Sequence, residues 1–234
     1  TLSQKGAPML TNLKRIVVVV GHYGSGKTNF SVNLAVDLKA AGRDVILVDL
    51  DIVNPYFRSA DFGALLEEKG IGLIAPVYAR SNLDVPALDG RLDAVIESDK
   101  TLVIDVGGDD AGAAALGRYS AMIREAGGCD VLYVVNAYRY LTRTSEEAAE
   151  ILGEIERKAR LEVTAVVNNS NLADITTADD IVSSAGYAEE TARRYGIPVL
   201  CTTAWKKLAA GVGEKLPGRE IYPVDIYVKK PWEV

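Results

Sequence analysis

Eight consecutive residues, Gly21, His22, Tyr23, Gly24, Ser25, Gly26, Lys27 and Thr28, hold the most specific chemistry in the chain. They satisfy G-x-x-x-x-G-K-[ST] without a mismatch. With that spacing the glycines let the backbone curl, so that successive N–H groups point inward at phosphate oxygens, and a helix that follows adds its positive end. Lys27 is placed to reach the β- and γ-phosphates of a nucleotide, and the Thr28 hydroxyl to ligate Mg²⁺. Gly21, Gly24, Ser25, Gly26, Lys27, Thr28 and the adjoining Asn29 form the expected phosphate-binding set. The plainer alternative is a glycine turn that only joins a strand to a helix. The flanks favour phosphate binding: Ile16 to Val20 is an unbroken β-branched run, and the amphipathic FSVNLAVDLKAAG follows the loop.

A second group of residues has the chemistry to complete such a site. The apolar run from Thr101 to Ile104 ends in Asp105, Val106, Gly107 and Gly108, a D-x-x-G pattern. An aspartate at a strand tip beside the phosphate loop can hold Mg²⁺, often through water, and Gly108 lets a backbone N–H approach the γ-phosphate. The alternative role for Asp105 is a turn former or helix cap. Val45 to Val48 likewise runs into Asp49, Leu50 and Asp51, with charge appearing where the strand ends.

Stepping from these residues to the elements that carry them, strands and helices alternate along the chain. Phe30, Leu34 and Leu38 share a helical face that ends at Gly42. Helices are expected over Asp61 to Lys69, Ala87 to Glu97, Ser145 to Arg160, Thr177 to Tyr195 and from Trp205, with strands at Ile71 to Pro76, Val131 to Val135, Val163 to Val167 and Val199 to Thr202. The tail YPVDIYVKKPW reads as an edge strand or extended arm. The expected fold is α/β, a three-layer P-loop NTPase with a mostly parallel sheet covered by helices on both faces. One domain over residues 9–234 is expected, with residues 1–8 an extension.

Composition narrows the function classes. The chain has 234 residues, 48% of them apolar, enough for a sizeable core. Its net charge of −6 disfavours a nucleic-acid surface. Cys129 and Cys201 lie far apart, with one histidine in the chain, so ligands for a structural zinc or iron–sulfur site are lacking. Buried thiols in a reducing cytoplasm are expected instead. No apolar run reaches a membrane span.

The motifs GHYGSGKT, LVDLDIVNP, LVIDVGG and AVVNNSN together resemble the MinD/ParA group of P-loop ATPases, within the CobQ/CobB/MinD/ParA nucleotide-binding family. The resemblance runs from Lys14 to about Leu208, and the VDLD run directly after the first helix narrows the group. It implies ATP or ADP with Mg²⁺, and slow ATP hydrolysis that a partner stimulates. It makes Asp51 the residue that positions the attacking water beside Lys27, Asp105 the water-bridged Mg²⁺ residue and Asn168 the adenine contact. Asp49 and Asp51 join Thr28 and Asp105 around the metal, with Asp49 alternatively a polar strand end and Asn168 alternatively a tie between loops.

Where guanine-binding relatives carry N-K-x-D, this chain has Asn168, Asn169, Ser170 and Asn171. An asparagine cannot supply the charged double acceptor for guanine, so ATP is favoured. Members of the family place a second lysine in the loop that reaches a partner chain's nucleotide. His22 and Tyr23 stand in that region here, which leaves a homodimer open. The implied role is a nucleotide-dependent switch or maturation factor for a client protein. The alternatives are an ATP-dependent ligase or carboxylase of the dethiobiotin synthetase or cobyrinate amidation type, a kinase, or a metal-delivery nucleotidase. Tyr56, Phe57, Arg58, Tyr78, Arg80, Tyr138, Arg139, Tyr140 and Arg143 are expected to form a rim for a client or an anionic small molecule, unless the tyrosines merely cover the sheet edge.

Overall fold

The structure is a computed structural model that describes residues 8–51, 62–75 and 90–227. Its centre is an eight-stranded sheet in the order β3-β2-β4-β1-β5-β6-β7-β8, with every neighbouring pair parallel. The strands are β1 (Ile16–Val20), β2 (Val45–Leu50), β3 (Gly72–Ile74), β4 (Thr101–Val106), β5 (Asp130–Val135), β6 (Ala165–Asn168), β7 (Val199–Trp205) and β8 (Ile221–Val224). Those at the middle are buried throughout, which is why they read as continuous apolar runs rather than alternating ones.

Helices cover both faces, and the pleat decides which side chain meets which layer. On one face Val17, Val19, Leu47 and Val103 pack with α1 (Pro8–Thr11), α2 (Lys27–Ala40) and α3 (Gly63–Glu68), through Leu10, Phe30, Leu34, Leu38 and Leu66. On the other, Ile16, Val18, Val48 and Ile104 pack with α4 (Arg91–Ile96), α5 (Asp110–Glu125), α6 (Ser145–Ala159) and α8 (Ala185–Arg194). A smaller cluster joins α7 (Ala178–Ser183) and α9 (Lys206–Lys215) through Ile181, Ala204 and Val212.

Several expected boundaries move. The stretch from Thr177 to Tyr195 is two helices, α7 and α8, broken at Ser184. The Ser184 hydroxyl donates back to the Ile181 carbonyl at 2.7 Å and accepts from Asn168 Nδ2 at 3.0 Å, so the helix is pinned to the end of β6 there. Strand β7 runs on to Trp205 rather than stopping at Thr202. The tail forms the edge strand: β8 pairs with β7, and Pro223, which lacks an N–H, sits in that edge position. Its Tyr222 packs edge-on against Phe30, with centroids 5.8 Å apart, and donates to Asp37 Oδ2 at 2.7 Å. Residues 1–7, 52–61, 76–89 and 228–234 lie outside the described residues, and so do the rim residues Tyr56, Phe57, Arg58, Tyr78 and Arg80.

Candidate nucleotide site

In a parallel sheet the strand ends that precede the helices share one edge, and here the motifs of the sequence meet on it. Counting by twos along each strand gives the direction of each acid. Val17 and Val19, Leu47 and Val103 face α2, so the next members of those series, Asp49 and Asp105, face α2 as well. The β2–β4 register sets Asp49 directly beside Asp105.

Asp105 is 3% exposed and accepts from Ser31 Oγ at 3.1 Å and from the Thr28 hydroxyl. Burial pushes its carboxyl up to about 6 from the ordinary 3.8, even though Lys27 and the two hydroxyls pull the other way. Lys27 is buried too, and donates from Nζ to the His22 carbonyl at 3.1 Å. Burial lowers its basicity, opposed by the charges of Asp105, Asp51 and Asp109. A desolvated ammonium among three carboxylates remains the cationic centre of the loop, with donor capacity beyond the one carbonyl it contacts.

The loop is closed by glycines where no other residue fits. Gly26 has φ +88°, and a Cβ there would lie 2.3 Å from Asn169 Nδ2. Gly108 backs onto the loop from β4, where a Cβ would lie 2.6 Å from Tyr23 N and 2.8 Å from Lys27 Nζ. Next to it, a Cβ on Gly107 would lie 3.2 Å from Asp51 Oδ1. Asp51 in turn donates its backbone N–H to Asp49 Oδ1 at 2.9 Å. Thus Lys27, Thr28, Asp49, Asp51, Asp105 and Gly108 form one constellation. Gly21, Gly24, Ser25 and Gly26 carry the loop itself, with Gly21 against the Val134 carbonyl of β5.

Two site residues read from sequence have other engagements. The side chain of Asn29 donates to the Asp225 carbonyl at 3.0 Å and accepts from Tyr227 N at 2.8 Å, strapping the chain beyond β8 to the start of α2. Its backbone N–H belongs to the first turn of α2, the end that favours an anion. Asn168 is fully buried, with Nδ2 on Ser184 Oγ and Oδ1 accepting from Ser170 N and Oγ at 3.2 and 2.7 Å. These are the contacts of the loop tie. The residue that meets the phosphate loop is its neighbour Asn169, which donates from Nδ2 to the Ser25 carbonyl at 2.7 Å and accepts from the Thr203 hydroxyl. The signal was available: Val167 faces the α2 layer, so Asn169, two residues on, faces it as well.

Two clefts flank the loop. One, of about 190 Å³, is lined by Gly24, Asn29, Arg139, Asn169, Thr203 and Trp205 among others, with Asp174 supplying its carboxylate at the exposed rim. It opens beyond the start of α2, on the side of the loop toward Asn169 and Trp205. The other, of about 380 Å³, lies across Tyr23 between Gly107, Gly108, Asp109 and the faces of α5 and α6. It borders the Gly108 side of the loop. Asp109 caps α5, accepting from Gly112 N at 2.9 Å.

The residues present fit a Mg²⁺ nucleotide. Ser25 Oγ is buried in the loop with no hydrogen-bond partner among the described residues, a vacancy in polar satisfaction that phosphate oxygens would fill. Among the described residues no group of three His, Cys, Asp or Glu could cage a metal alone. Mg²⁺ suits this, because it is commonly bound by one or two carboxylates, a hydroxyl, phosphates and water.

Part of the rim is visible. Tyr140 is 73% exposed and Tyr23 56%, with Arg143 over the Tyr140 ring at 5.6 Å from its centroid. Tyr138 is an anchor rather than a rim residue, its hydroxyl donating to the Asp180 carbonyl at 2.8 Å. Among the described residues no helix is long and apolar enough to cross a membrane.

The fold is similar to that of the signal recognition particle 54 kDa protein of Aeropyrum pernix, solved with GDP (TM-score 0.53, 22% identity, covering 80% of this chain and 40% of that one). It is similar as well to FtsY of Mycoplasma mycoides (TM-score 0.53, 20% identity, 79% and 57% coverage) and of Thermotoga maritima (0.51, 21%, 79% and 59%). This chain therefore spans about 40 to 59% of the length of these structures. No curated protein matches the sequence. Residues 16–176 match the CobQ/CobB/MinD/ParA nucleotide-binding domain. That match covers most of the sheet and every acid of the constellation, and the chain belongs to this family.

Proposed function

We propose that the protein is a Mg-ATP-binding ATPase that acts as a nucleotide-dependent switch or maturation factor for a partner protein. The observation that carries this reading is the stacking of Gly107 and Gly108 between Asp51 on one side and Tyr23 and Lys27 on the other. Loops from β2 and β4 thereby converge on the place where a γ-phosphate would lie, so its arrival or loss would bear on both at once.

In the mechanism, Lys27 and the N–H groups at the start of α2 hold the phosphates, with Ser25 Oγ at the buried side of the loop. Thr28 and Asp105 would hold Mg²⁺, with Asp49 beside them. When bound, Mg²⁺ supplies charge neutralisation on the phosphate oxygens. Asp51, next to Gly107, orients the water that attacks the γ-phosphate. Asn168 acts here as the tie of a loop whose Asn171 and Ala173 line the smaller cleft, where the adenine would lie. The absence of an aspartate at Asn171 supports ATP over GTP.

The wide cleft beside Gly108 favours one second reading, an acceptor substrate in a ligase or kinase reaction. ATP turnover and sedimentation of wild type and Asp51→Ala in Mg-ATP and Mg-ADP separate the two. The switch predicts slow turnover by wild type alone, lost in Asp51→Ala, and an assembly state that differs between ATP and ADP. One assembly state in both nucleotides, with turnover appearing only on addition of a small-molecule acceptor, would replace it with the second reading.

A further inference from the structure

The loop after β5 puts a cation on the phosphate loop that the motifs do not include. Arg139 lies over Gly24: a Cβ built on that glycine would sit 3.7 Å from Arg139 Cδ and Nε and 3.9 Å from Cζ. The side chain therefore crosses the loop at ordinary contact distance, and it lines the smaller cleft together with Asn29, Asn169 and Thr203.

This position is built by the fold. Asn136, fully buried at the end of β5, accepts from Tyr138 N at 3.0 Å and Asn171 N at 3.2 Å, while Ala137 N donates to Ser170 Oγ at 3.0 Å. The Asn136 carbonyl accepts from Arg139 N at 3.2 Å and from Thr142 Oγ1 at 3.1 Å. Tyr138 bolts the same turn to α7 through its hydroxyl. Residues 136–142 are thus a tied turn, cross-linked to the loop after β6, with Arg139 near its tip.

The electrostatics of that placement point to an anion. The guanidinium lies against a loop that already contains Lys27 and the positive end of α2. Among the described residues no ion pair is formed with it. Carboxylates already offset the charge of Lys27, and Asp174 lines the same cleft as Arg139; a polyphosphate in the loop would bring further negative charge against the guanidinium. Its side of the loop also matters. Arg139 lines the cleft toward Asn169 and Trp205, whereas Gly107 and Gly108 line the cleft on the γ-phosphate side.

We propose that Arg139 is a nucleotide-binding residue acting within its own chain, its guanidinium on the α- and β-phosphates of the nucleotide in the loop. The proposal rests on the nucleotide-binding reading above. Because those phosphates are common to ATP and ADP, Arg139 contributes to the affinity of both alike and leaves the hydrolytic step alone. A guanidinium offers two parallel donors to phosphate oxygens, which an ammonium cannot reproduce.

The test is isothermal titration of Mg-ADP and Mg-ATP into wild type, Arg139→Ala and Arg139→Lys, with steady-state ATP turnover. Arg139 is exposed, so an unchanged melting temperature checks the fold of each variant. The expected result is a Kd raised about tenfold to a hundredfold for both nucleotides in Arg139→Ala, with partial recovery in Arg139→Lys. KM rises with it and kcat at saturating ATP stays put. Unchanged affinities overturn the proposal, and so does a fall in kcat with Mg-ADP affinity intact, which would put the guanidinium on the γ-phosphate. Failure of wild type itself to bind either nucleotide overturns the reading beneath it instead.

Discussion

Replacing Gly108 by alanine tests how tightly the β4 loop is fitted to the phosphate loop. The new methyl carbon would lie 2.6 Å from Tyr23 N, 2.8 Å from Tyr23 Cα and 2.8 Å from Lys27 Nζ. Non-bonded carbon contacts are comfortable at about 3.5–4.0 Å, so the loops must part by about 1 Å. Two of the three obstructing atoms are backbone, and the third is a buried ammonium, so the strain cannot be shed by swinging a free side chain. Overpacking of this kind costs about 1–3 kcal/mol, and about 1 Å of misplacement at a reacting centre costs on the order of a hundredfold in rate. Gly107→Ala is the internal control: its nearest obstruction is the Asp51 carboxylate tip at 3.2 Å, which can give way. Thermal melts and Mg-ADP titration should rank Gly108→Ala well below Gly107→Ala; single-turnover hydrolysis is read for Gly108→Ala alone, because Gly107→Ala displaces Asp51. Wild-type turnover and melting in Gly108→Ala would refute the claim that this glycine seats the β4 loop against Lys27.

Gly211, in the middle of α9, has nothing within 4 Å of where a Cβ would be, so Gly211→Ala should stabilise the protein by about 1 kcal/mol. In a chain of this size that is about 2–4 °C in Tm, and a lowered Tm would count against the helix. Asp105 is pushed up to about 6 from 3.8, so the unfolded chain ionises it first, and the nucleotide-free protein loses stability as pH rises from 3.8 through 6. Above pH 6 the penalty is on the order of 3 kcal/mol, and Asp105→Asn should recover most of it at pH 8, less at pH 5 and none below 3.8. A benefit that grows toward acid pH in denaturant titrations would contradict the assignment. Burial pushes the Cys129 thiol up to about 11 and raises that of Cys201 as well. Iodoacetamide at pH 8 should therefore leave both unmodified until denaturant is added, whereas rapid labelling of the native protein would mean that one of them opens to solvent.

The phosphate loop, the strand before it and Asp105 were legible in the sequence because each is a local signal, a residue type at a fixed offset from an apolar run. The direction of Asp49 followed from strand alternation once the strand extended to Leu50. What could not be read locally depends on contacts between distant loops. Arg139 reaches Gly24 across 115 positions because β1 and β5 are neighbours in the sheet, and that pairing leaves no trace in either segment. Asn168 and Asn169 sit side by side in a polar run, and only the pleat separates the one that holds Ser184 from the one that holds Ser25. The break at Ser184 is in part a tertiary effect: Gly186 weakens the helix locally, and the Ser184 hydroxyl, held by Asn168 at the end of β6, fixes where it breaks. The use of Asn29 as a strap for the chain after β8 needed the edge strand to be in place first.

The central claim is that the loop around Lys27 binds a Mg²⁺-nucleotide and prefers ATP. Its most direct test is calorimetric titration of ATP and GTP, each with Mg²⁺, into wild type and Lys27→Ala. The account predicts ATP binding at least tenfold tighter than GTP in wild type, and loss of both in Lys27→Ala at a temperature where its melt shows the variant still folded. Equal or tighter binding of GTP would transfer base recognition to the Asp174 carboxylate at the cleft rim, and binding that survives Lys27→Ala unchanged would contradict the claim outright.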